Sequence, residues 1–177
     1  MAQAMMNNKK KRVDEDTIQV VIFQVGAEEY GLDIKYITEV IRPLKITLLP
    51  HMQKFIEGVI NLRGAIIPVV DLRKRFSVEA TIHNPKTLRI IIIRGAIHGA
   101  SGVGNELLGL IVDSVKEVLH LPHNNIEPAP TAATSQHAEF ITGMGKVDKR
   151  LIILLDTSKI LSQQERSALA EVENAGD

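Results

Sequence analysis

The sequence contains FIEGVINLRGAIIPVVDLRKRF at Phe55–Phe76 and FITGMGKVDKRLIILLDTSKIL at Phe140–Leu161. The two stretches align without a gap at an offset of 85 residues, and six of the 22 aligned positions are identical. Ordinary composition gives roughly one or two identities in 22 by chance. A shorter match, at an offset of 78, links Gly31–Ile41 with Gly109–Leu119, which share Gly, Leu, Glu and Val. The chain therefore contains an internal repeat.

Each copy of the repeat shows the same order of local signals. A strand, a glycine turn and a second strand precede a proline loop, a Phe-Ile-x-x-Gly motif and a further strand that ends at Asp71 or Asp156. This order predicts an all-β fold of two tandem modules, and closing each module into a small barrel removes most exposed sheet edges. A solenoid would need at least three shorter units, so we reject that architecture.

The composition limits both the core and the kinds of partner. Apolar residues make up 45% of the 177 residues but aromatic residues only 3%, so Ile, Val and Leu must build most of the core. The formal net charge is zero, which leaves no overall field to attract nucleic acid or an anionic membrane. Because cysteine is absent, disulfides, thiolate catalysis and Cys-ligated metal sites are excluded.

The N-terminal segment Met1–Asp16 reads MAQAMMNNKKKRVDED and predicts a disordered tail. The basic run Lys9–Arg12 is followed by acidic residues and not by an apolar stretch, so the pattern of a signal peptide is missing. Apolar runs elsewhere are only a few residues long, far short of a membrane span. We therefore expect a cytoplasmic protein.

Apolar alternation and β-branched residues locate most strands. The predicted strand regions are Val20–Val25, Tyr30–Ile34, Ala65–Leu72, Leu88–Ile93, Leu107–Leu121 and Leu151–Leu155. Lys35–Arg42 is interpreted as a turn and a strand, and Phe55–Ile60 as a single helical turn. Pro68 inside its strand indicates a sheet edge or a bulge. Thr157–Val172 is predicted to form a C-terminal helix, and Gly95–Asn105 a small-residue loop.

No catalytic constellation is visible in the sequence. None of the serines lies in Gly-x-Ser-x-Gly, and Gly99–Gly104 lacks the third glycine of a dinucleotide-binding fingerprint. His120 and His123 have no evident third ligand, so a surface pair is favoured over a metal site. Asp33, Asp71, Asp113 and Asp156 punctuate strands, where the usual role of Asp is to accept hydrogen bonds from turn amides. We expect no catalytic residue, no metal and no cofactor.

A small β-barrel that binds nucleic acid is the alternative function. Such barrels need basic grooves with exposed aromatic rings for base stacking. The chain has only two Tyr and four Phe, and Phe23, Phe55 and Phe140 are interpreted as core or turn anchors. The basic run Arg73–Arg75 is interpreted as a solvated helical turn. Nucleic-acid binding is therefore the weaker hypothesis.

Several longer motifs resemble the CheW family of chemotaxis coupling proteins. Glu28–Ile34 (EEYGLDI) is similar to its EEYGIDI segment, and Gly58–Leu72 (GVINLRGAIIPVVDL) is similar to its signature. Phe140–Lys146 and Arg150–Ile153 resemble its closing strands, so the resemblance runs from about Thr17 to Leu161. It implies two five-stranded SH3-like β-barrels at 17–161, after a tail at 1–16 and before a short C-terminal helix and tail at 162–177.

The resemblance also implies an adaptor function. Family members bind the regulatory domain of the histidine kinase CheA and the cytoplasmic tip of chemoreceptors, and they meet the membrane only through receptor arrays. By position, the receptor-contact candidates are Ile37, Glu39, Val40 and Arg63. Arg63 presents a planar set of donors on a predicted turn, although an internal clasp with Glu39 is an equal alternative. Ile37 and Val40 are equally open to a role in the core.

The kinase-contact candidates come from the repeat. Val115, Glu117 and Val118 stand where the first copy has Ile37, Glu39 and Val40, which suggests that duplicated surfaces serve two different partners. Two departures from the family pattern are the length of the Gly95–Asn105 loop and Lys149, which replaces a common glycine.

Overall fold

The computed structural model describes residues 16–78, 84–94, 107–129, 138–162 and 164–169. The predicted tail before Asp16, the Gly95–Asn105 loop and the residues after 169 lie outside the described residues. Across those five ranges, no helix has the length and apolar character needed to cross a membrane.

Strands dominate the described part of the chain, and the all-β prediction is confirmed. The strands are β1 Thr17–Val25, β2 Glu28–Asp33, β3 Ile37–Ile41, β4 Ile56–Leu62, β5 Ala65–Asp71, β6 Arg89–Arg94, β7 Leu107–Val112, β8 Ser114–Pro122, β9 Ile126–Glu127, β10 Ile141–Val147 and β11 Arg150–Leu155. Single 3-10 turns lie at Ile34–Tyr36, His123–Asn125, Ala138–Phe140 and Thr157–Lys159. A four-residue α-helix, Leu72–Arg75, follows β5.

The strands form two sheets that exchange strands between the two halves of the chain. The five-stranded sheet has the order β3-β6-β7-β5-β4, and the six-stranded sheet has the order β8-β1-β2-β11-β10-β9. The N-terminal hairpin β1–β2 thus completes the sheet of the second half, while β6–β7 completes the sheet of the first. Parallel pairs join the halves at equivalent places, since Val69 lies opposite Gly109 and Leu154 opposite Gly31. The two subdomains are interleaved and do not simply follow one another.

Each sheet curls around an aliphatic core of its own. One cluster holds Ile60, Ile67, Ile90 and Ile92 of the five-stranded sheet, and another holds Val20, Ile22, Ile152 and Leu154 of the six-stranded sheet. This agrees with the prediction of a core built from Ile, Val and Leu.

A third and larger cluster lies between the sheets and contains the aromatic residues. All four Phe side chains and Tyr30 are buried there. Strand β6 has four consecutive isoleucines in its sequence RIIIIR, because both of its faces are buried. Ile90 and Ile92 face the barrel interior, whereas Ile91 and Ile93 face this central cluster. A strand buried on both faces needs apolar residues at every position.

Loop segments close the two sheets into barrels. After β3, Thr47 pairs with Val59 of β4 through two hydrogen bonds, with N···O distances of 2.8 and 2.9 Å. Strand β9 pairs with β10 in the corresponding place. Gly58 allows Thr47 to come close to β4: the φ of Gly58 is +144°, and a Cβ there would lie 2.1 Å from the carbonyl oxygen of Thr47. Closure of the first barrel therefore requires glycine at position 58.

Three local predictions need correction. Phe55–Ile60 is not a helical turn, because Ile56–Leu62 alternates buried and less buried residues along β4. Pro68 is not in an edge strand, because β5 lies between β7 and β4. The pairing of β5 with β7 begins only at Val69, so the missing N–H of Pro68 breaks no hydrogen bond to β7.

The C-terminal helix begins later than predicted. Thr157–Lys159 forms a 3-10 turn, and the described helix spans 164–169. Its start carries a capping box: the backbone N–H of Ser162 donates to the Glu165 carboxylate at 2.7 Å, and the N–H of Glu165 donates to Ser162 Oγ at 3.2 Å. Leu169, the last described residue of this helix, is buried in the central cluster.

Candidate functional site

The turn between β4 and β5 presents Arg63 in a left-handed backbone conformation. Arg63 has a φ of 51° and Gly64 a φ of 88°, and the N–H of Gly64 donates to Asn61 Oδ1 at 2.9 Å. The Asn61 side chain thus replaces a backbone acceptor and fixes the turn. As a result, the Arg63 side chain projects from a rigid tip of the first barrel.

The internal clasp between Arg63 and Glu39 is present. Nη2 of Arg63 donates to Oε1 of Glu39, which ties the β4–β5 turn to β3 across the closed barrel. The Arg63 side chain nevertheless remains 71% exposed, against 28% for Glu39. Since a guanidinium carries five N–H donors, this ion pair leaves donors available to a partner.

Ile37 and Val40 have different surroundings on β3. Ile37 is half-buried and packs against the central cluster, whereas Val40 is 40% exposed. Ile66 of β5, which the sequence did not single out, is 53% exposed. We call Glu39, Val40, Arg63 and Ile66 the first face.

The second barrel carries an equivalent arrangement on β8 and β11. Val118 is 47% exposed and Leu151 of β11 is 44% exposed, while Val115 is half-buried against the central cluster. Glu117 accepts a hydrogen bond of 2.6 Å from Arg150 Nη1. We call Glu117, Val118, Arg150 and Leu151 the second face.

The two faces correspond through the repeat. Val118 stands 78 residues after Val40, and Leu151 stands 85 residues after Ile66, the same offsets that relate the sequences. In each barrel the glutamate at this strand position pairs with an arginine of the following hairpin, although the two arginines are not equivalent by the repeat: Arg63 lies in the β4–β5 turn, whereas Arg150 is the first residue of β11. Large exposed apolar side chains are thus conserved between the two copies at positions where barrel packing does not require them.

Arg150 forms a denser charge network than Arg63. Its Nη2 and Nε donate to Glu29 Oε2 at 2.7 and 3.1 Å, and Lys116 reaches Glu29 Oε1 at 3.2 Å. The hydrogen bond from Arg150 lowers the pKa of Glu29 below its ordinary value and outweighs the effect of partial burial. The hydrogen bond to Glu29 in turn raises the pKa of Arg150.

Glu29→Gln is expected to lower the free energy of unfolding by about 1 kcal/mol at neutral pH, as for a partly exposed ion pair. Because the folded-state pKa of Glu29 is lowered, the contribution is complete above the ordinary glutamate pKa. It disappears as pH falls through the lowered value. Urea denaturation of both proteins across this acid range checks the effect. An unchanged difference at the acid end would contradict it.

The four aspartates behave as predicted and accept hydrogen bonds from turn amides. Asp33 accepts from the N–H of Lys35, Asp71 from Arg73, Asp113 from Gly26 and Asp156 from Ser158, over distances of 2.7 to 3.1 Å.

The prediction that Arg73–Arg75 is solvated is wrong for two of its three residues. The side chains of Arg73 and Arg75 are only 13% and 18% exposed, because Arg73 bonds Asp71 and Asp113 and Arg75 stacks on Phe55 and Phe140.

The aromatic side chains do not support the nucleic-acid hypothesis. The four Phe and Tyr30 are buried, which leaves Tyr36, 41% exposed, as the remaining tyrosine. A base-stacking platform needs several exposed rings. His120 and His123 are both exposed, and His120 contacts Gln19 at 2.8 Å. Within the ranges that the structure covers, no group of three or more His, Cys, Asp or Glu side chains is arranged to hold a metal ion.

Comparison with protein-family models gives a match to the CheW-like domain over residues 19–165. The chain belongs to this family. A chemotaxis protein CheW of Klebsiella aerogenes is 34% identical over 154 residues, 87% of each chain. One from Treponema pallidum is 31% identical over 162 residues, 90% of this chain and 91% of the relative.

Solved structures also place the chain in the CheW-like family. The scaffolding protein TtCheW of Thermoanaerobacter tengcongensis superposes with a TM-score of 0.73 at 39% identity, over 84% of this chain and 95% of that one. The CheW-like match contains every described strand apart from the first two residues of β1, and it ends inside the C-terminal helix. Two interleaved SH3-like barrels are therefore the fold of this CheW-like domain, as the resemblance implied, although the second sheet has six strands where five were expected.

Proposed function

We propose that this chain is a non-catalytic chemotaxis adaptor that couples chemoreceptors to the histidine kinase CheA. Membership of the CheW-like family supports this role, as do relatives that are named chemotaxis proteins and a solved relative described as a scaffolding protein. The observation that carries the proposal is the duplicated set of exposed apolar strand residues, Val40 and Ile66 in the first barrel and Val118 and Leu151 in the second. An adaptor needs two separate binding surfaces, and the repeat supplies two that differ in detail.

The first face is assigned to the cytoplasmic tip of chemoreceptors. Val40 of β3 and Ile66 of β5 supply exposed apolar area, and Arg63 in the turn before β5 supplies a largely exposed guanidinium. An arginine at the rim of an apolar patch is a frequent anchor in protein interfaces. Glu39 orients that arginine, and Ile37 supports the strand from below.

The second face is assigned to the regulatory domain of CheA. Val118 and Leu151 supply its apolar area, and Glu117 is held by Arg150. Val115 packs inward and supports β8. The denser ion-pair network of this face gives it a different charge pattern, which favours a different partner.

Such an adaptor acts through linkage and needs no chemical step. Binding receptor and kinase together raises their effective concentration, and a receptor conformation that contacts the adaptor differently changes the kinase equilibrium. The proposed place of action is the cytoplasmic side of receptor arrays, which the protein reaches through its partners and without a cofactor.

Arg63→Glu is expected to weaken binding to a receptor-tip fragment by about tenfold, because it removes a rim anchor and adds a repelling charge. Calorimetric titration of folded protein measures the effect, and CheA binding should stay unchanged. The double variant Glu39→Arg with Arg63→Glu keeps an ion pair with the charges exchanged. It therefore separates the role of Arg63 in the internal clasp from its direct contact with the receptor. If the double variant binds the receptor normally, the clasp matters and the direct contact of Arg63 is refuted.

Val118→Asp is expected to weaken binding to the CheA regulatory domain by about tenfold while receptor binding is kept. A carboxylate at this exposed position should not disturb the barrel, which thermal unfolding checks. The matched variant is Val40→Asp at the equivalent position, for which the opposite pattern is expected. Equal losses for both partners in both variants would rule out separate faces.

A further inference from the structure

Residues 42–54 connect β3 to β4, and we call them the basic strap. They read RPLKITLLPHMQK and contain Arg42, Lys45 and Lys54 but no acidic residue. Along the chain, the nearest acidic residues are Glu39 and Glu57, which already pair with Arg63 and Lys74. The three cations of the strap form no ion pair with any residue that the structure describes.

The strap is held firmly against the barrel despite its irregular backbone. Ile46 packs against the cluster inside the five-stranded sheet, and Leu49 and Met52 pack against the central cluster. The two hydrogen bonds between Thr47 and Val59 fix the middle of the strap. The positions of its outward side chains are therefore determined by the fold, which lowers the entropy cost of binding a partner.

Leu48 projects outward from this fixed segment. It is 76% exposed, the highest value among the large exposed apolar side chains of the described residues, although Thr47 and Leu49 on either side of it are anchored. Leu44 is 41% exposed on the same strap. Exposing leucines on an anchored segment contributes nothing to the stability of the barrel, whereas burying them in a partner would remove apolar area from water.

We propose that the basic strap is a third docking surface, which binds an acidic protein segment that also carries apolar side chains. The carboxylates of such a segment pair with Arg42, Lys45 and Lys54, and its apolar side chains cover Leu48 and Leu44. Charge complementarity identifies the occupant, because all the charged residues of the strap are cationic whereas the chain as a whole has zero net charge. A protein segment is favoured over a lipid surface, since two leucines offer little area for membrane insertion.

This surface goes beyond the proposed coupling role. It uses none of the residues assigned to the first or second face, so its partner need be neither the receptor nor the kinase. The strap adds a site where a third acidic protein can join the assembly.

A labelled synthetic peptide with Glu and Leu at helical spacing provides the probe, and the same peptide with Gln in place of Glu is its control. Fluorescence anisotropy is expected to show binding of the Glu peptide only, with weakening as salt increases. Leu48→Ser and Lys45→Glu should each weaken it about tenfold. Lys86→Glu changes an exposed lysine elsewhere that has no ion pair in the described ranges, and it should leave binding unchanged. Amide shifts in an NMR titration should map to the strap.

The proposal is overturned if the strap variants bind like wild type, or if the Gln peptide binds equally well. It is also overturned if vesicles with anionic lipid bind through Leu48 while the peptide does not. Self-association that depends on Leu48, without peptide binding, would assign the surface to a second copy instead. Arg63→Glu and Val118→Asp should bind the peptide normally, so failure of the coupling role and failure of the strap are distinguishable.

Discussion

Asp71→Ala is expected to lower the free energy of unfolding by about 3–5 kcal/mol, because it leaves a buried guanidinium without its main partner. Asp71 is 2% exposed and accepts hydrogen bonds from the backbone N–H, Nε and Nη2 of Arg73 at 2.9, 3.0 and 2.8 Å. The bonds to Asp71 are the main reason why the pKa of Arg73 is raised. Asp113, whose Oδ1 lies 3.5 Å from Nη1 of Arg73, is a described carboxylate that remains beside Arg73 in the variant.

The repeat provides a matched control for this prediction. Asp156 occupies the equivalent position and accepts from the N–H and Oγ of Ser158 at 2.9 and 2.6 Å, but no arginine of the described residues forms an ion pair with it. Asp156→Ala should therefore cost only about 0.5–2 kcal/mol, the usual loss for a capping residue. Urea denaturation of the two variants measures the difference. Equal losses would show that the Arg73 charge is not what makes Asp71 important.

Arg75→Met is expected to lower the free energy of unfolding by about 2–4 kcal/mol, from lost cation–π contacts and a lost charged hydrogen bond. The guanidinium of Arg75 lies 4.3 Å from the ring centroid of Phe55 and 4.6 Å from that of Phe140, which are equivalent residues of the two repeats. Its Nε donates to the carbonyl oxygen of Ile160 at 3.0 Å, and its Nη2 lies 3.6 Å from Glu165. One side chain thus joins both halves and the C-terminal helix.

Hydrogen exchange tests whether this coupling is real. The N–H groups of Asp71 and Asp156 donate to the carbonyl oxygens of Phe55 and Phe140, so both amides report on the ring positions. Arg75→Met should accelerate exchange at both amides, whereas Glu165→Gln should affect mainly the C-terminal helix. Faster exchange confined to 164–169 in Arg75→Met would reduce Arg75 to a local anchor of that helix.

The sequence predicted the features that depend on local patterns. The repeat indicated duplicated hairpins, the alternation of apolar residues located most strands, and the position of four aspartates after strands predicted their bonds to turn amides. These features could be predicted because each depends on residues that are close in sequence. The capping box Ser162–Glu165 was also available from the sequence, and it would have placed the start of the C-terminal helix correctly.

The remaining features depend on contacts between distant segments. A bulge near Gly58 interrupts the strand alternation of Phe55–Ile60 and hides it in the sequence, and the two buried arginines look like an ordinary charged run. Burial of Arg75 depends on Phe140 and Ile160, which no local pattern connects to it. Among the candidate contacts, Ile66 and Leu151 were missed because exposure of an apolar strand residue becomes visible only once the barrel is closed. Arg150 was missed because its partners Glu117 and Glu29 are distant in sequence.

The interleaved strand order determines when each sheet can form during synthesis on the ribosome. Strands β1 and β2 are made first, but their neighbours in the finished sheet are β8, which begins at Ser114, and β11, which begins at Arg150. The five-stranded sheet needs only the residues up to β7, so it can assemble before β8 and β11, which pair with the N-terminal hairpin, have been synthesised. Pairing over such long sequence separations is slow and leaves strand edges open in the meantime. The first strands to leave the ribosome are therefore among the last to reach their final place.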